Sequence, residues 1–264
     1  MGNLVDYDTH HGVAVVTLND PPVNAYTHEM MKELDDAILE ARFDPDVHVI
    51  VLTGSGDRYF CCGANIDMLR EADQNFKYYF CLHANETLRR LEETPKLSIA
   101  ALNGHTVGGG LEVAMACDVR IARQGDFKMG LPEVRLGVLP GTGGTQRLTR
   151  LIGRARAMQV MIEGEYFSQK QALEWGVVHY LWETRDVETF QAKVRDYAHK
   201  FTPPSKASLA VGRIKRAVQA AIDLPIDQGL ALERELQAEL FASDDAREGL
   251  DAYCEKRAPA FRAR

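Results

Sequence analysis

Runs of apolar residues mark three short strands in the first 102 residues. Residues 13–18, 48–53 and 97–102 are almost uninterruptedly apolar, and turn residues follow the last two, as is typical of buried strands. Between the first two runs, Thr27 can cap a helix whose apolar positions follow helical spacing: Met30, Met31, Leu34, Ile38 and Ala41. The order strand, helix, strand predicts an α/β fold.

The rest of the chain changes from alternating elements to helices. Residues 67–93 are predicted as one helix, with an aromatic stripe assigned to the core: Phe76, Tyr79 and Phe80. A helix is predicted at 111–117 and strands at 118–122, 127–129 and 177–181. Beyond Asp186 the pattern is helical, with Pro203-Pro204 and Pro225 at predicted helix starts. This helical end is expected to pack on the α/β core or to form a subunit interface.

The composition is that of an ordinary globular protein with an excess of acidic residues. Its 264 residues are 45% hydrophobic, and 31 basic against 38 acidic side chains give a net charge of −7. A general nucleic-acid or membrane-surface binder would need an excess of lysine and arginine. A basic C-terminal stretch leaves two alternatives, a solvated tail or a site for an anionic substrate: Arg247, Lys256, Arg257, Arg262 and Arg264.

The cysteines and the N-terminal residues indicate a cytoplasmic protein. Five cysteines with no CxxC spacing favour reduced thiols: Cys61, Cys62, Cys81, Cys117 and Cys254. Residues 1–12 lack the apolar stretch of a secretory signal, and no segment has the uninterrupted apolar length of a membrane span. Gly2 does not begin a myristoylation motif, because Asp6 stands where serine or threonine is needed.

Two glutamates beside glycine-rich turns are the leading candidates for chemistry. Glu112 follows Gly108-Gly109-Gly110, and Glu133 follows Gly130-Leu131-Pro132. Glycine lets backbone N–H groups approach a ligand, so a glycine run that opens a helix can form an oxyanion hole. Like charges held close together force two ionisations apart, which lets one carboxyl act as acid and the other as base. The pair predicts an acid–base site suited to hydrating a double bond.

Other chemistry finds weaker support. Gly141-Thr142-Gly143-Gly144 resembles the start of a dinucleotide fingerprint, but Gln146 occupies the place of its last glycine. No paired-cysteine or histidine spacing indicates a metal site. Cys61, Cys62 and Cys117 lie in apolar surroundings without an evident base, which predicts buried, unreactive thiols. His83 and His105 have no partner visible in the sequence and are interpreted as structural.

Together these motifs resemble the crotonase superfamily, and within it the enoyl-CoA hydratases. The resemblance runs from about residue 12 to 261. It is carried by these segments: Ile99-Ala100-Ala101-Leu102-Asn103-Gly104, Gly108-Gly109-Gly110-Leu111-Glu112, Ala116-Cys117-Asp118, Pro132-Glu133, Leu136-Gly137, Pro140-Gly141-Thr142-Gly143-Gly144-Thr145-Gln146-Arg147-Leu148, Asp244-Asp245-Ala246-Arg247-Glu248-Gly249 and Glu255-Lys256-Arg257.

The resemblance implies a crotonase-like α/β spiral of repeated ββα units with a C-terminal helical trimerisation region. It implies a core at residues 1–200 and a helical subdomain at 201–264 that packs on the core and on neighbouring subunits. A homotrimer or homohexamer is expected. The implied substrate is an acyl-CoA thioester, as in fatty acid β-oxidation, with no separate cofactor, no metal, no nucleic-acid partner and no membrane partner.

The resemblance also implies roles for particular residues. The backbone N–H groups of Ala64 and Gly109 would bind the thioester oxygen. Glu112 would activate water for attack at C3, and Glu133 would hold that water and protonate C2. The implied CoA-binding residues are Ala25, Gly63, Ala64, Asn65, Ile66 and Lys256.

Three departures from the family pattern put the acyl specificity in question. Asn65 replaces a usual aspartate, Met129 replaces a frequent aromatic residue, and Asn24-Ala25-Tyr26 differs from the common Asn-Ala-Leu. Isomerases of the superfamily commonly keep only one of the two glutamates, so the presence of both favours a hydratase. An enoyl-CoA isomerase, a hydratase-lyase on a specialised acyl-CoA and an RNA-binding relative remain alternatives.

Overall fold

The computed structural model describes residues 4–264, and its centre is a six-stranded sheet. The strands lie in the order β1-β2-β3-β5-β7-β9, where β1 pairs antiparallel with β2 and the other pairings are parallel. Their bounds are β1 Val5–His10, β2 Val13–Leu18, β3 Val49–Gly54, β5 Leu97–Leu102, β7 Val119–Arg123 and β9 Tyr180–Trp182. The strands predicted from the three apolar runs are confirmed, as is the α/β class.

A second, three-stranded parallel sheet lies beside the first. It consists of β4 Tyr59–Cys61, β6 His105–Val107 and β8 Met129–Gly130, in that order. The chain alternates between the sheets, because β3, β5 and β7 in the large sheet are followed by β4, β6 and β8 in the small one. After each ββ pair the chain enters a helix or a 3₁₀ turn. This arrangement is the predicted spiral of ββα units.

Helices cover both faces of the large sheet. Ile50 and Leu52 of β3 pack in the core that contains α1 (His28–Phe43), whereas Val49 and Val51 pack on the opposite face with α8 (Val187–His199). Burial on both faces explains why these strands are apolar throughout instead of alternating. Thr27 caps α1 as predicted, with Oγ1 accepting from the N–H of Met30 at 3.2 Å.

The prediction of one continuous helix over residues 67–93 is wrong, because the structure has two helices there. The chain forms α2 (Ile66–Glu71) and α3 (Gln74–Glu93), separated by an extended Ala72. Asp73 starts the second helix, because its Oδ1 accepts from the N–H of Phe76 at 2.7 Å. Of the aromatic stripe, Phe80 lies in the core, whereas Phe76 and Tyr79 are 37% and 59% exposed, so the core assignment fails for these two.

The helix predicted at 111–117 begins two residues earlier, as α4, and the chain beyond Asp186 is mainly helical, as predicted. The remaining elements are α4 Gly109–Met115, a 3₁₀ turn at Glu133–Leu136, α5 Gly144–Ile152, α6 Arg154–Glu163, α7 Gln169–Glu174, α9 Ser208–Asp223, α10 Ile226–Phe241 and α11 Asp244–Glu255. Pro225 directly precedes α10 as predicted, but Pro203-Pro204 lies in a turn before α9. The short strands β1, β4 and β6 are additions to the sequence prediction.

A buried ion pair fixes α9 on the core. Nζ of Lys215 lies 2.8 Å from Oδ2 of Asp118 and donates to the carbonyl oxygens of Leu91 and Lys96 at 3.1 and 3.0 Å. Oδ2 of Asp118 also accepts from the backbone N–H and the hydroxyl of Ser98. Within residues 4–264, no helix combines the length and the apolar character needed to cross a membrane.

Candidate active site

The start of α4 brings backbone and carboxyl groups together. Gly108 precedes the helix with φ of +57°, a conformation that favours glycine. A Cβ at this position would lie 2.9 Å from Oε1 of Glu133. The first N–H groups of a helix have no partner inside it, so the turn directs free donors toward the same space. Glycine at position 108 therefore lets the Glu133 carboxyl approach the beginning of α4.

Glu112 is held at a buried position in the first turn of α4. Its side chain is 2% exposed, and Oε1 accepts from the N–H groups of Thr142 and Gly144 at 2.8 and 2.6 Å. The intervening Gly143, with φ of +103°, turns the backbone so that both N–H groups face the carboxylate. Burial raises the pKa of Glu112, while the two N–H bonds oppose that rise by favouring the ionised form.

Glu133 differs from Glu112 in its hydrogen bonding. Burial, followed by the charge of Glu112, raises its pKa to about 7. Its Oε2 is buried and, among residues 4–264, has no hydrogen-bond partner. A carboxyl with an unpartnered oxygen and a neighbouring negative charge favours the protonated form. The two glutamates therefore differ in their support, which is the condition for one to act as base and the other as acid.

The backbone just before Ala64 lies against the start of α4. Ala64 forms a parallel bridge with Tyr26, whose N–H donates to Gly63 O and whose carbonyl accepts from Asn65, both at 2.9 Å. These bonds fix the backbone on either side of Ala64. Gly63 has φ of +90°, and a Cβ there would lie 2.9 Å from the nitrogen of Gly109. The segment that contains Ala64 therefore approaches Gly109, and the role of their N–H groups as oxyanion donors stays a prediction.

The other predicted CoA-binding residues fall into two places. Ala25 is buried next to the Ala64 backbone, and Asn65 begins α2, with Oδ1 accepting from the N–H of Met68 at 3.0 Å. Ile66 follows and is exposed. Lys256 is exposed at the end of α11, with φ of +56°.

The cysteines and histidines lie in ordinary structural settings. Burial raises the pKa of Cys61 and Cys117 to about 12 and that of Cys62 to about 11, so none is a ready nucleophile near neutral pH. Nδ1 of His105 accepts from the N–H of Lys128 at 2.8 Å, and Nε2 of His83 lies 3.5 Å from Oγ1 of Thr87.

Sequence reasoning missed the residues that hold Glu112. Thr142 and Gly144 donate to it, and Arg147 fixes their loop by donating to Thr142 O at 2.9 Å. The phenol of Tyr26 reaches the same loop, with Oη 3.0 Å from Oγ1 of Thr142. The glycine-rich segment 141–144 is the signal in the sequence that the backbone of this loop can approach another group.

Comparisons with known proteins agree with this architecture. The profile of the enoyl-CoA hydratase/isomerase family matches residues 8–264. The short-chain-enoyl-CoA hydratase of Clostridium acetobutylicum is 38% identical, over 97% of this chain and 96% of its own. The (E)-benzylidenesuccinyl-CoA hydratase of Thauera aromatica is 36% identical, over 98% of both chains. An enoyl-CoA hydratase structure from Geobacillus kaustophilus superposes with a TM-score of 0.95 at 42% identity, covering 100% of this chain and 98% of that one. This chain belongs to the enoyl-CoA hydratase/isomerase family.

Proposed function

We propose that the protein is an enoyl-CoA hydratase that adds water reversibly across the 2,3 double bond of an enoyl-CoA thioester. The observation that carries this proposal is the unequal support of two adjacent carboxyls. Oε1 of Glu112 accepts two backbone N–H bonds, whereas Oε2 of Glu133 accepts none. This asymmetry favours the negative charge of the pair on Glu112 and the proton on Glu133.

The chemistry follows from that distribution of charge. Glu112 takes a proton from water as the oxygen adds to C3, and Glu133 gives its proton to C2, so the pair ends with its charge exchanged. As C3 is attacked, negative charge develops on the thioester oxygen. The N–H groups of Ala64 and Gly109 are the donors for that oxygen, and one such donor typically changes the rate by about 10²-fold or more. Dehydration runs through the same groups in reverse.

The finer features of the proposal have separate support. The conjugated thioester is already activated, so these four groups account for the reaction without a further cofactor. Five free cysteines support a cytoplasmic location.

Exposed apolar side chains on α9 and α10 support a homotrimer or homohexamer built through residues 201–264: Ile214, Val218, Ile222, Ile226 and Phe241. In such an assembly Lys256 would reach a phosphate of CoA across a subunit boundary. A straight acyl chain on the substrate would fit a role in β-oxidation.

The test is the loss of conjugated-thioester absorbance when the purified protein is mixed with crotonyl-CoA. We expect Glu112→Gln to lower kcat/KM by about 10²- to 10⁴-fold, because a carboxamide cannot accept the proton of water. Its oxygen can still accept the N–H bonds of Thr142 and Gly144, so the unfolding midpoint should change little. Glu174→Gln, an exposed glutamate on α7, is the matched control. Full activity in Glu112→Gln would contradict the assigned role, and an inactive wild-type protein would contradict short-chain hydration.

A further inference from the structure

The phenol of Tyr26 has no part in the reaction described above, yet it lies inside the site. Tyr26 is only 3% exposed. A Cβ at Gly109 would collide with its hydroxyl and ring. Oη lies 3.0 Å from Oγ1 of Thr142, on the loop that holds Glu112. A polar group at this depth needs a hydrogen-bond role, because burying it unpaired is costly.

Thr142 connects this phenol to Glu112. Its backbone N–H donates to Oε1 of Glu112 at 2.8 Å, and its Oγ1 lies 3.0 Å from the Tyr26 hydroxyl. Either oxygen of this hydroxyl pair can be the donor. In both cases the bond fixes the Thr142 side chain, and with it the loop whose N–H groups hold Glu112.

The phenol keeps its proton throughout the working pH range. Burial, and next the charge of Glu112, raise the pKa of Tyr26 well above its ordinary value. The other charged or titratable groups facing this pair are Glu133 and Arg147, which act on Glu112 or Tyr26, and Cys61, which acts on Tyr26 and is itself neutral. Lys77 acts on Glu133. Within residues 4–264, none of these charged groups forms a hydrogen bond with Oγ1 of Thr142.

We propose that Tyr26 is a positioning residue that acts through the Thr142 hydroxyl to keep Glu112 ionised and oriented as the base. The proposal rests on the hydratase function inferred above. The backbone of Tyr26 also brackets Ala64, so one residue joins the oxyanion side of the site to the base side. The backbone bonds at this position need no particular side chain, whereas the contact with Thr142 needs the phenol hydroxyl.

The first measurement compares the wild type with Tyr26→Phe, which keeps the ring and removes the hydroxyl. We expect the pKa of the acid limb of kcat/KM for crotonyl-CoA to rise by about one unit, so that kcat/KM on that limb falls about tenfold. KM should change little, because the phenol does not bind the substrate. Tyr7→Phe is the matched control, since the Tyr7 hydroxyl is also buried but has no partner within residues 4–264.

A second measurement does not depend on activity. The Glu112 carboxyl is titrated by ¹³C NMR of protein labelled at glutamate Cδ, and its signal is assigned by comparison with Glu112→Gln. The pKa of Glu112 should rise in Tyr26→Phe and stay fixed in Tyr7→Phe. In a Thr142→Val background, Tyr26→Phe should add no further shift, whereas Thr142→Ser should preserve it.

The outcomes separate the two proposals. An unchanged or lowered pKa of Glu112 in Tyr26→Phe would overturn the role of Tyr26, because the hydrogen bonds that hold Glu112 would then not depend on the phenol. A shift that persists in full in the Thr142→Val background would also overturn it. Absence of hydration by the wild type would instead contradict the proposed function, and the NMR titration would still decide the role of Tyr26.

Discussion

Two buried clusters of charge in this protein are built in opposite ways. Beneath α9, Lys215 and Asp118 satisfy each other, and the remaining donors and acceptors are used by Leu91, Lys96 and Ser98. At the start of α4, Glu112 and Glu133 are both acids and cannot neutralise each other, and Oε2 of Glu133 has no partner within residues 4–264. The first cluster is nearly saturated with hydrogen bonds, and the second is left incomplete.

The difference separates a structural use of buried charge from a chemical one. A saturated ion pair leaves few donors or acceptors free, so it can fix a helix but has little left to offer a substrate. An incomplete carboxyl pair raises a pKa toward neutrality, which places a proton where a reaction can use it. The incomplete pair should lower the stability of the fold, as expected when a site is selected for activity. Both expectations can be measured.

The largest effect should come from removing the proton of the incomplete pair. We expect Glu133→Gln to lower kcat for crotonyl-CoA hydration by about 10²- to 10⁴-fold, because the amide cannot protonate C2. KM should change much less. The measurement is steady-state hydration beside Glu174→Gln, which removes an exposed carboxyl on α7. A Glu133→Gln enzyme with wild-type kcat would show that the incomplete pair has no catalytic use.

The next effect should come from breaking the saturated pair. Lys215→Met leaves Asp118 buried without its cation, which should lower the free energy of unfolding by about 3–5 kcal/mol. Chemical denaturation measures this loss. Lys206→Met is the control, because Lys206 is exposed and lies two residues before α9. The activity per folded molecule should stay close to that of the wild type. A loss below about 1 kcal/mol would mean that α9 does not depend on the pair.

The sequence indicates the two candidate carboxyls but not the groups that hold them. Glu112 and Glu133 are candidates because each adjoins a glycine-rich turn, and such turns are visible in the sequence. Thr142 and Gly144 were missed because they are 30 and 32 residues from Glu112, and only the folded loop brings their N–H groups to Oε1. Local pattern carries no information on such contacts.

The same limit applies to the fold. Strands β3 and β5 were predicted because burial on both faces makes them continuously apolar. The short strands β4 and β6 have three residues each, too few for a period to be visible. The break between α2 and α3 depends on the extended Ala72 and on Asp73 as a cap, which compete with an otherwise helical pattern. Tertiary pairing, and not local preference, decides these elements.

The smallest effect should be the loss of folding stability that the incomplete pair causes, which can be measured from the pH dependence of unfolding. The folded-state pKa of Glu133 is about 7, above its ordinary value of 4.5, so between these values the folded protein binds more protons than the unfolded chain. The contribution of Glu133 to the free energy of unfolding must then fall as the pH rises from 5 to 8. Glu133→Gln removes this contribution, and at pH 8 it should be more stable than the wild type by about 1–3 kcal/mol.

Denaturation of both proteins at pH 5 and pH 8 measures that difference, with Glu174→Gln as the control. At pH 5 the variant and the wild type should nearly coincide, because Glu133 is then largely protonated in the folded state. A gap that is equal at the two pH values would mean that Glu133 is not destabilised by its charge, and the contrast with the saturated Lys215 pair would fail. A gap that opens only at pH 8 would show that the same unpartnered oxygen that favours proton transfer also lowers the stability of the fold.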